Sequence, residues 1–200
     1  MTSEFWDSRY QGSDWVYGTK PNQFIAQQID QMAPGSILFP AEGEGRNAIY
    51  AAHLGWEVYA FDQSEVGRSK SLNRAQEEKV ILNYELTEFS SYKPKSSFDV
   101  IALCFFHLMP EHRKALHQSV IEWLKPGGTL ILESYHKTQL GRSSGGPKHI
   151  DMLFSEDEIT EDFKSLECTY LEVSERELSE GTHHNGPAML LEAVYTKNST

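Results

Sequence analysis

The run Phe98–Phe106 (FDVIALCFF) is almost unbroken in apolar residues. A strand with one wet face alternates apolar and polar positions, so a continuous run implies a strand covered on both faces. The neighbouring segments supply the cover. Pro21 opens a helix in which Phe24, Ile25, Gln28, Ile29 and Met32 recur at helical spacing, and Pro34-Gly35 ends it. Ser36–Pro40 (SILFP) reads as a strand, Gly43–Gly45 as a turn, Arg46–Leu54 as a helix, and Glu57–Phe61 as the next strand. Ser64–Lys79 is a polar helix and Val80–Leu86 holds a third strand. Pro110–Leu124 is a helix, and Pro126-Gly127-Gly128 turns the chain into the strand Thr129–Glu133.

Strand and helix alternate from residue 36 to residue 133, which implies βαβ units. Beyond a loop at Tyr135–Asp151 come a helix capped by Ser155 and two successive strands, around Thr169–Leu178 and Met189–Thr196. The expected fold is therefore α/β, a three-layer doubly wound (Rossmann-like) and mostly parallel seven-stranded sheet with an antiparallel C-terminal edge hairpin. One domain over residues 1–200 accounts for the length. Residues 1–20 carry Phe5, Trp6, Tyr10, Trp15 and Tyr17, too apolar for a free tail, and are expected to form a lid over the rest.

The formal net charge is −11, which repels phosphate backbones and anionic lipid, so neither nucleic acid nor membrane is expected as a partner. Met1–Tyr10 has no apolar run of a secretory signal, and Val100–Met109 is too short to span a bilayer. Cys104 and Cys168 both lie in apolar, strand-like surroundings and are expected as buried free thiols in a reducing cytoplasm. No CxxC or HExxH spacing occurs and no metal site is expected; His183 and His184 read as solvated loop residues.

In doubly wound sheets a ligand sits beyond the carboxyl ends of the strands, where the strand order reverses. The turn there reads Pro40-Ala41-Glu42-Gly43-Glu44-Gly45-Arg46-Asn47. Its glycines let backbone approach a ligand, and the following helix N-terminus favours an anion. Asp62 ends the next strand, 17 positions after Gly45, near the offset of a ribose-binding carboxylate. The competing reading of Asp62 is a helix cap leading into Ser64. Ala41 and Arg46 break the G-x-G-x-x-G pattern, which disfavours a dinucleotide and leaves a nucleoside with an amino-acid tail.

With these motifs the sequence resembles the class I S-adenosylmethionine-dependent methyltransferases, and among them the tellurite-resistance type. The resemblance rests on Gly43-Glu44-Gly45-Arg46-Asn47-Ala48, on Val58–Asp62, on Phe98-Asp99-Val100-Ile101, on Leu124-Lys125-Pro126-Gly127-Gly128-Thr129, and on Phe5–Tyr10 with Tyr17-Gly18 as the lid. It implies S-adenosylmethionine as cofactor. The backbone of Ala41, Glu42, Gly43 and Gly45 would line it, Asp62 would take the ribose hydroxyls, and Gln63 and Ser64 would flank the adenine. Glu85 would accept from the adenine amino group with Leu86 beside it, against the reading of Glu85 as a solvated strand end. Cys104 and Phe105 would lie near the methionine portion. The family's acid late in the first strand is replaced by Phe39, and Glu42, Arg9 and Tyr17 are the alternatives for its work at the amino-acid end.

Methyl transfer is an in-line displacement that depends chiefly on alignment and water exclusion, and a base is needed only for a protonated nucleophile. His107 is the first candidate for base or donor beside the methyl group, or else a helix-edge histidine. Tyr17 offers a ring face to a cation. Glu133, Tyr135, Gln139, Arg142 and His184 are candidates for the acceptor pocket. The expected partner is a small acceptor, a thiol or a tellurium or selenium oxyanion, handled by a monomer or homodimer. Two alternatives stand beside it: a noncatalytic S-adenosylmethionine binder, and a nicotinamide-dependent oxidoreductase.

Overall fold

A computed structural model describes residues 2–12 and 14–199. Met1 and Ser13 of the N-terminal segment, and Thr200, lie outside the described residues. In chain order the elements are α1 (Ser3–Tyr10), α2 (Gln23–Ile29), β1 (Ser36–Pro40), α3 (Arg46–His53), β2 (Glu57–Asp62), α4 (Glu65–Glu77) and β3 (Asn83–Leu86). There follow β4 (Phe98–Cys104), α5 (Pro110–Trp123), β5 (Leu124–Tyr135), α6 (Glu156–Asp162), β6 (Glu167–Glu180) and β7 (His184–Thr196). Short 3₁₀ turns occupy Lys137–Gln139 and Ile150–Met152.

The sheet has seven strands in the order β3-β2-β1-β4-β5-β7-β6. β1 pairs in parallel with both β2 and β4, and β7 pairs antiparallel with β5 and β6. The run that began the sequence reading divides cleanly between two cores. Phe98, Ile101 and Leu103 point to a core with Leu116 and Val120 of α5 and Ile159 of α6. Val100 and Ala102 point to the other, with Ile25 and Ile29 of α2 and Ala48 and Ala51 of α3. Both faces of β4 are dry, as its composition requires.

Three local features depart from expectation. β5 begins at Leu124, because Leu124 pairs with Phe98 and the chain then bulges through Lys125–Gly128 before Thr129 pairs with Val100. Cys168 is exposed, because the edge strand β6 has nothing beyond it to cover that position. His184 is buried rather than solvated, because the β6–β7 hairpin runs on to Glu180 and folds its end against the rest of the molecule.

The N-terminal segment is strapped down. Thr2 caps α1, its Oγ1 accepting from the Phe5 amide at 3.4 Å. Lys70 of α4 donates to the carbonyls of Tyr10, Gly12 and Asp14 and pairs with Glu44 at 2.5 Å. Glu44 in turn accepts from the Val16 amide at 2.8 Å. Among the described residues no helix is long and apolar enough to cross a membrane.

Candidate active site

The turn after β1 folds around one carboxylate. Glu42 Oε1 accepts from the amides of Asn47, at 2.8 Å, and Ala48, at 2.7 Å. These are first-turn amides of α3, whose N-cap, Gly45, has no side chain to offer. Glu42 thus organises the turn although Phe39 occupies the strand position where an acid was expected. Burial drives its carboxyl up to about 7, against the pull of the Ala48 and Asn47 donors. Gly45 stands at φ +85°, and a Cβ there would collide with Ser71.

Asp62 ties β2 to this turn. Its Oδ2 accepts from the Gly43 amide at 2.9 Å and its Oδ1 from the Ser64 amide at 2.7 Å. Burial raises its pKa, and the Ser64 and Gly43 amides oppose the rise.

Beyond the turn a cleft of about 1100 Å³ opens over the carboxyl ends of β1, β2 and β4 and beneath α1. This exceeds a typical single-ligand site, so it has room for a cofactor and a second small molecule. Arg46, the first residue of α3, lines it as a buried cation. Its guanidinium donates to Glu180 at 2.9 Å, to the Tyr17 carbonyl at 3.3 Å and toward the Cys104 sulfur at 3.8 Å. Burial pushes the Cys104 thiol far above its ordinary pKa, although Arg46 opposes this, and the thiol stays protonated.

The far half of the cleft is aromatic. Phe105, at φ +50°, is a rare conformation for a bulky residue. Its ring centroid lies 4.7 Å from Tyr135 and 4.4 Å from His184. His184 also packs at 4.6 Å from Tyr17. His107 stacks beside Phe105 and Tyr135. Its Nδ1 lies 2.8 Å from the Met152 carbonyl and so carries the proton, while Nε2 is buried without a partner. Burial lowers the His107 pKa to about 4, with the Met152 hydrogen bond opposing.

Residues 37–128 match the family model described as a methyltransferase domain. Solved structures of similar fold include TehB from Haemophilus influenzae, 16% identical with a TM-score of 0.75, over 98% of this chain and 67% of that one. The N-methyltransferase NodS from Bradyrhizobium japonicum, in complex with S-adenosyl-L-homocysteine, is 14% identical with a TM-score of 0.75, over 98% and 97%. A structure described under the conversion of a disulfide bond into a thioacetal group during echinomycin biosynthesis is 14% identical with a TM-score of 0.79, over 99% and 92%. No curated protein sequence matches this one at significance.

The fold gathers many of the residues singled out from sequence around its cleft: Arg9, Tyr17, Ala41, Glu42, Asp62, Gln63, Cys104, Phe105, His107, Tyr135 and His184. Gly43 and Gly45 shape the turn from behind, Gly43 lying against Tyr10 of α1. Five others lie elsewhere. Ser64 is fully buried as the cap of α4, its hydroxyl accepting from Gly67 and donating to Asp7. Glu85 is exposed and Leu86 is 44% exposed on the edge strand β3, because only the chain beyond β3, from Thr87 to Ser90, bends over the cleft. Arg142 pairs with Glu175 on the surface. Glu133 is completely buried beneath the cleft, where it accepts from Asn22 Nδ2 at 2.6 Å and pairs with Arg176 at 3.3 Å. Sequence reading overlooked Arg46 and Glu180. The arginine stood inside the motif, where it registered only as the loss of a glycine. Glu180 is 134 positions away and carries no local signal.

Proposed function

We propose that the protein is an S-adenosylmethionine-dependent methyltransferase acting on a small-molecule acceptor. The observation that carries this is the pair of charges in one cleft: the Asp62 carboxylate on the β2 side and the buried Arg46 guanidinium on the α3 side. A nucleoside bearing an amino-acid tail presents ribose hydroxyls, which suit a carboxylate, and an α-carboxylate, which suits a guanidinium. The donor set therefore fits the cofactor.

In this reading Asp62 holds the ribose, and Gln63 with Thr87–Phe89 flanks the base in place of Glu85 and Leu86. Arg46 receives the carboxylate, and Tyr17 and Phe105 offer ring faces to the positive sulfur. When bound, the cofactor supplies a methyl group on a sulfonium. The chain aligns the acceptor against it between Phe105, Tyr135 and His184, and α1 with its strap excludes water as a lid. His107, with one nitrogen committed to Met152 and the other sealed, serves as a fixed neutral wall rather than as a proton carrier.

The acceptor favoured by this aromatic pocket is a thiol, since soft sulfur packs well against rings. A tellurium or selenium oxyanion is the second reading, favoured by the resemblance of the turn Gly43–Ala48 to the tellurite-resistance type. The enzyme is read as a cytoplasmic monomer or homodimer, and its net charge of −11 speaks against nucleic acid.

Melting curves with S-adenosylmethionine, S-adenosylhomocysteine, NAD and NADP test the cofactor. Stabilisation by the two adenosyl compounds alone is expected, and stabilisation by NAD alone would reject the proposal. Turnover of thiols or selenite, followed by release of the demethylated cofactor, separates an enzyme from a noncatalytic binder.

A further inference from the structure

The end of the β6–β7 hairpin makes a carboxylate–imidazole pair that nothing in the motifs announces. Glu180 and His184 are register partners across the three-residue turn Gly181-Thr182-His183. Gly181 stands at φ +72°, and a Cβ there would strike the Val16 carbonyl, so the turn is pressed against the lid strap. The Thr182 amide donates to that same carbonyl at 3.1 Å, which fixes the hairpin tip over the cleft. In this position Glu180 Oε2 lies 3.4 Å from His184 Nδ1. The same oxygen accepts from Arg46 at 2.9 Å, and Asn22 Nδ2 reaches the other oxygen at 3.3 Å.

A carboxylate beside Nδ1 selects the tautomer with the proton on that nitrogen and leaves the lone pair on Nε2, at the far edge of the ring. His184 lines the cleft with Tyr17, Phe105 and Tyr135 in ring contact. From this arrangement we infer that His184 is the proton acceptor for methyl transfer, oriented by Glu180, and that the acceptor molecule carries its nucleophile protonated, as a neutral thiol, hydroxyl or amine. The inference rests on the methyl-transfer reading above and deepens it by choosing the acceptor class.

The step balances. The nucleophile's lone pair forms the bond to the methyl carbon, the carbon–sulfur bond breaks with its electron pair going to sulfur, and the nucleophile's proton passes to Nε2. The ring becomes an imidazolium facing the Glu180 carboxylate, and the proton leaves to solvent with the product. The surroundings support both charge states. Burial lowers the His184 pKa, with the Glu180 hydrogen bond opposing, so the resting ring is the free base. Burial pushes Glu180 upward, but His184 and Arg46 outweigh it and hold the carboxyl at about 2, so it is ionised throughout. The other polar groups around the ring are Arg46 from α3, protonated Cys104 from β4, Tyr17 from the strap, Tyr135 from β5, and the neutral histidines His107 and His183. Of these only Arg46 carries charge at neutral pH, and Glu180 meets it directly. An oxyanion nucleophile would leave this pair with nothing to do.

The test uses the full chain. Long-range ¹H–¹⁵N spectra of the imidazoles are expected to show His184 as the Nδ1–H tautomer at pH 7.5, and Glu180→Gln is expected to mix the tautomers. In parallel, His184→Gln is expected to bind S-adenosylhomocysteine within two-fold of wild type, while turnover of 2-mercaptoethanol falls about 100-fold. Its residual rate is expected to rise with pH between 7 and 9, where the wild-type rate is flat. An Nε2–H tautomer in the wild type, an unchanged rate and pH profile in His184→Gln, or turnover of selenite with none of the thiol would each overturn the inference. Failure of the wild type to bind S-adenosylhomocysteine would instead remove the methyl-transfer reading on which it stands.

Discussion

Arg46 and Glu180 meet at 2.9 Å, joining the first residue of α3 to the last residue of β6. Their side chains are 9% and 13% exposed, so the pair is removed from water, with further acceptors for Arg46 at Tyr17 and Cys104 and further donors to Glu180 from Asn22 and His184. Breaking one partner of such a pair leaves an uncompensated buried charge, at a cost of about 3–5 kcal/mol. Arg46→Met is expected to lower stability by about that amount in chemical denaturation, and Arg46→Met with Glu180→Gln to recover part of it. A double variant no more stable than Arg46→Met would show that the two residues are not coupled.

Asp62 has two tasks that a careless substitution confuses. It receives the Gly43 and Ser64 amides as well as facing the cleft, so Asp62→Ala loosens the turn besides removing the proposed ribose partner. Asp62→Asn retains one acceptor oxygen and is the cleaner probe. It is expected to weaken S-adenosylhomocysteine binding by roughly 10- to 100-fold, the worth of one or two charge-assisted hydrogen bonds. Calorimetric titration of Asp62→Asn at unchanged affinity would refute the ribose assignment.

His107 sets a pH dependence whose sign is fixed by its burial. The unfolded ring has a pKa of 6.5, and the folded ring about 4. Between these values the unfolded chain binds a proton that the folded ring refuses, so stability falls as pH drops from 6.5 toward 4 and is constant above that window. The full difference is about 3 kcal/mol. His107→Gln keeps a donor for the Met152 carbonyl and does not titrate. Its melting temperature is expected to fall less than that of the wild type between pH 7.5 and 4.5. The buried His117 and His184 contribute equally to both proteins and cancel. Parallel curves would mean that His107 is not a buried neutral ring.

The strap should open when its clip is removed. Lys70 gathers three carbonyls from Tyr10, Gly12 and Asp14 and also pairs with Glu44. Lys70→Ala is expected to raise hydrogen exchange at the amides of residues 10–12 and 14–17 while leaving β1 and β4 protected. It is also expected to speed S-adenosylhomocysteine release. Unaltered exchange in those residues would show that the strap is held by its aromatic contacts instead.

The sequence by itself determined the layers, the strand order's reversal point and the turn. Those depend on local rules: an unbroken apolar run needs two dry faces, and glycine tolerates positive φ. It also placed Asp62 beside the turn, where the Gly43 amide meets it, because one βαβ unit fixes the distance from turn to acid. What failed were positions decided by neighbours remote in the chain. Glu85 and Leu86 looked like site residues by their place after a strand, yet β3 is an edge, and the chain reaches the cleft only beyond it. Glu133 was expected in the acceptor pocket and is sealed beneath it by Asn22 and Arg176. His184 looked like a solvated loop residue until the hairpin folded back over the switch point. The tertiary structure alone decided that Arg46, Glu180 and His184 share one site. No periodicity links α3 to a hairpin tip so far along the chain, and it is the pairing of β7 with β5 and β6, with the strap packed against the tip, that brings the charges together.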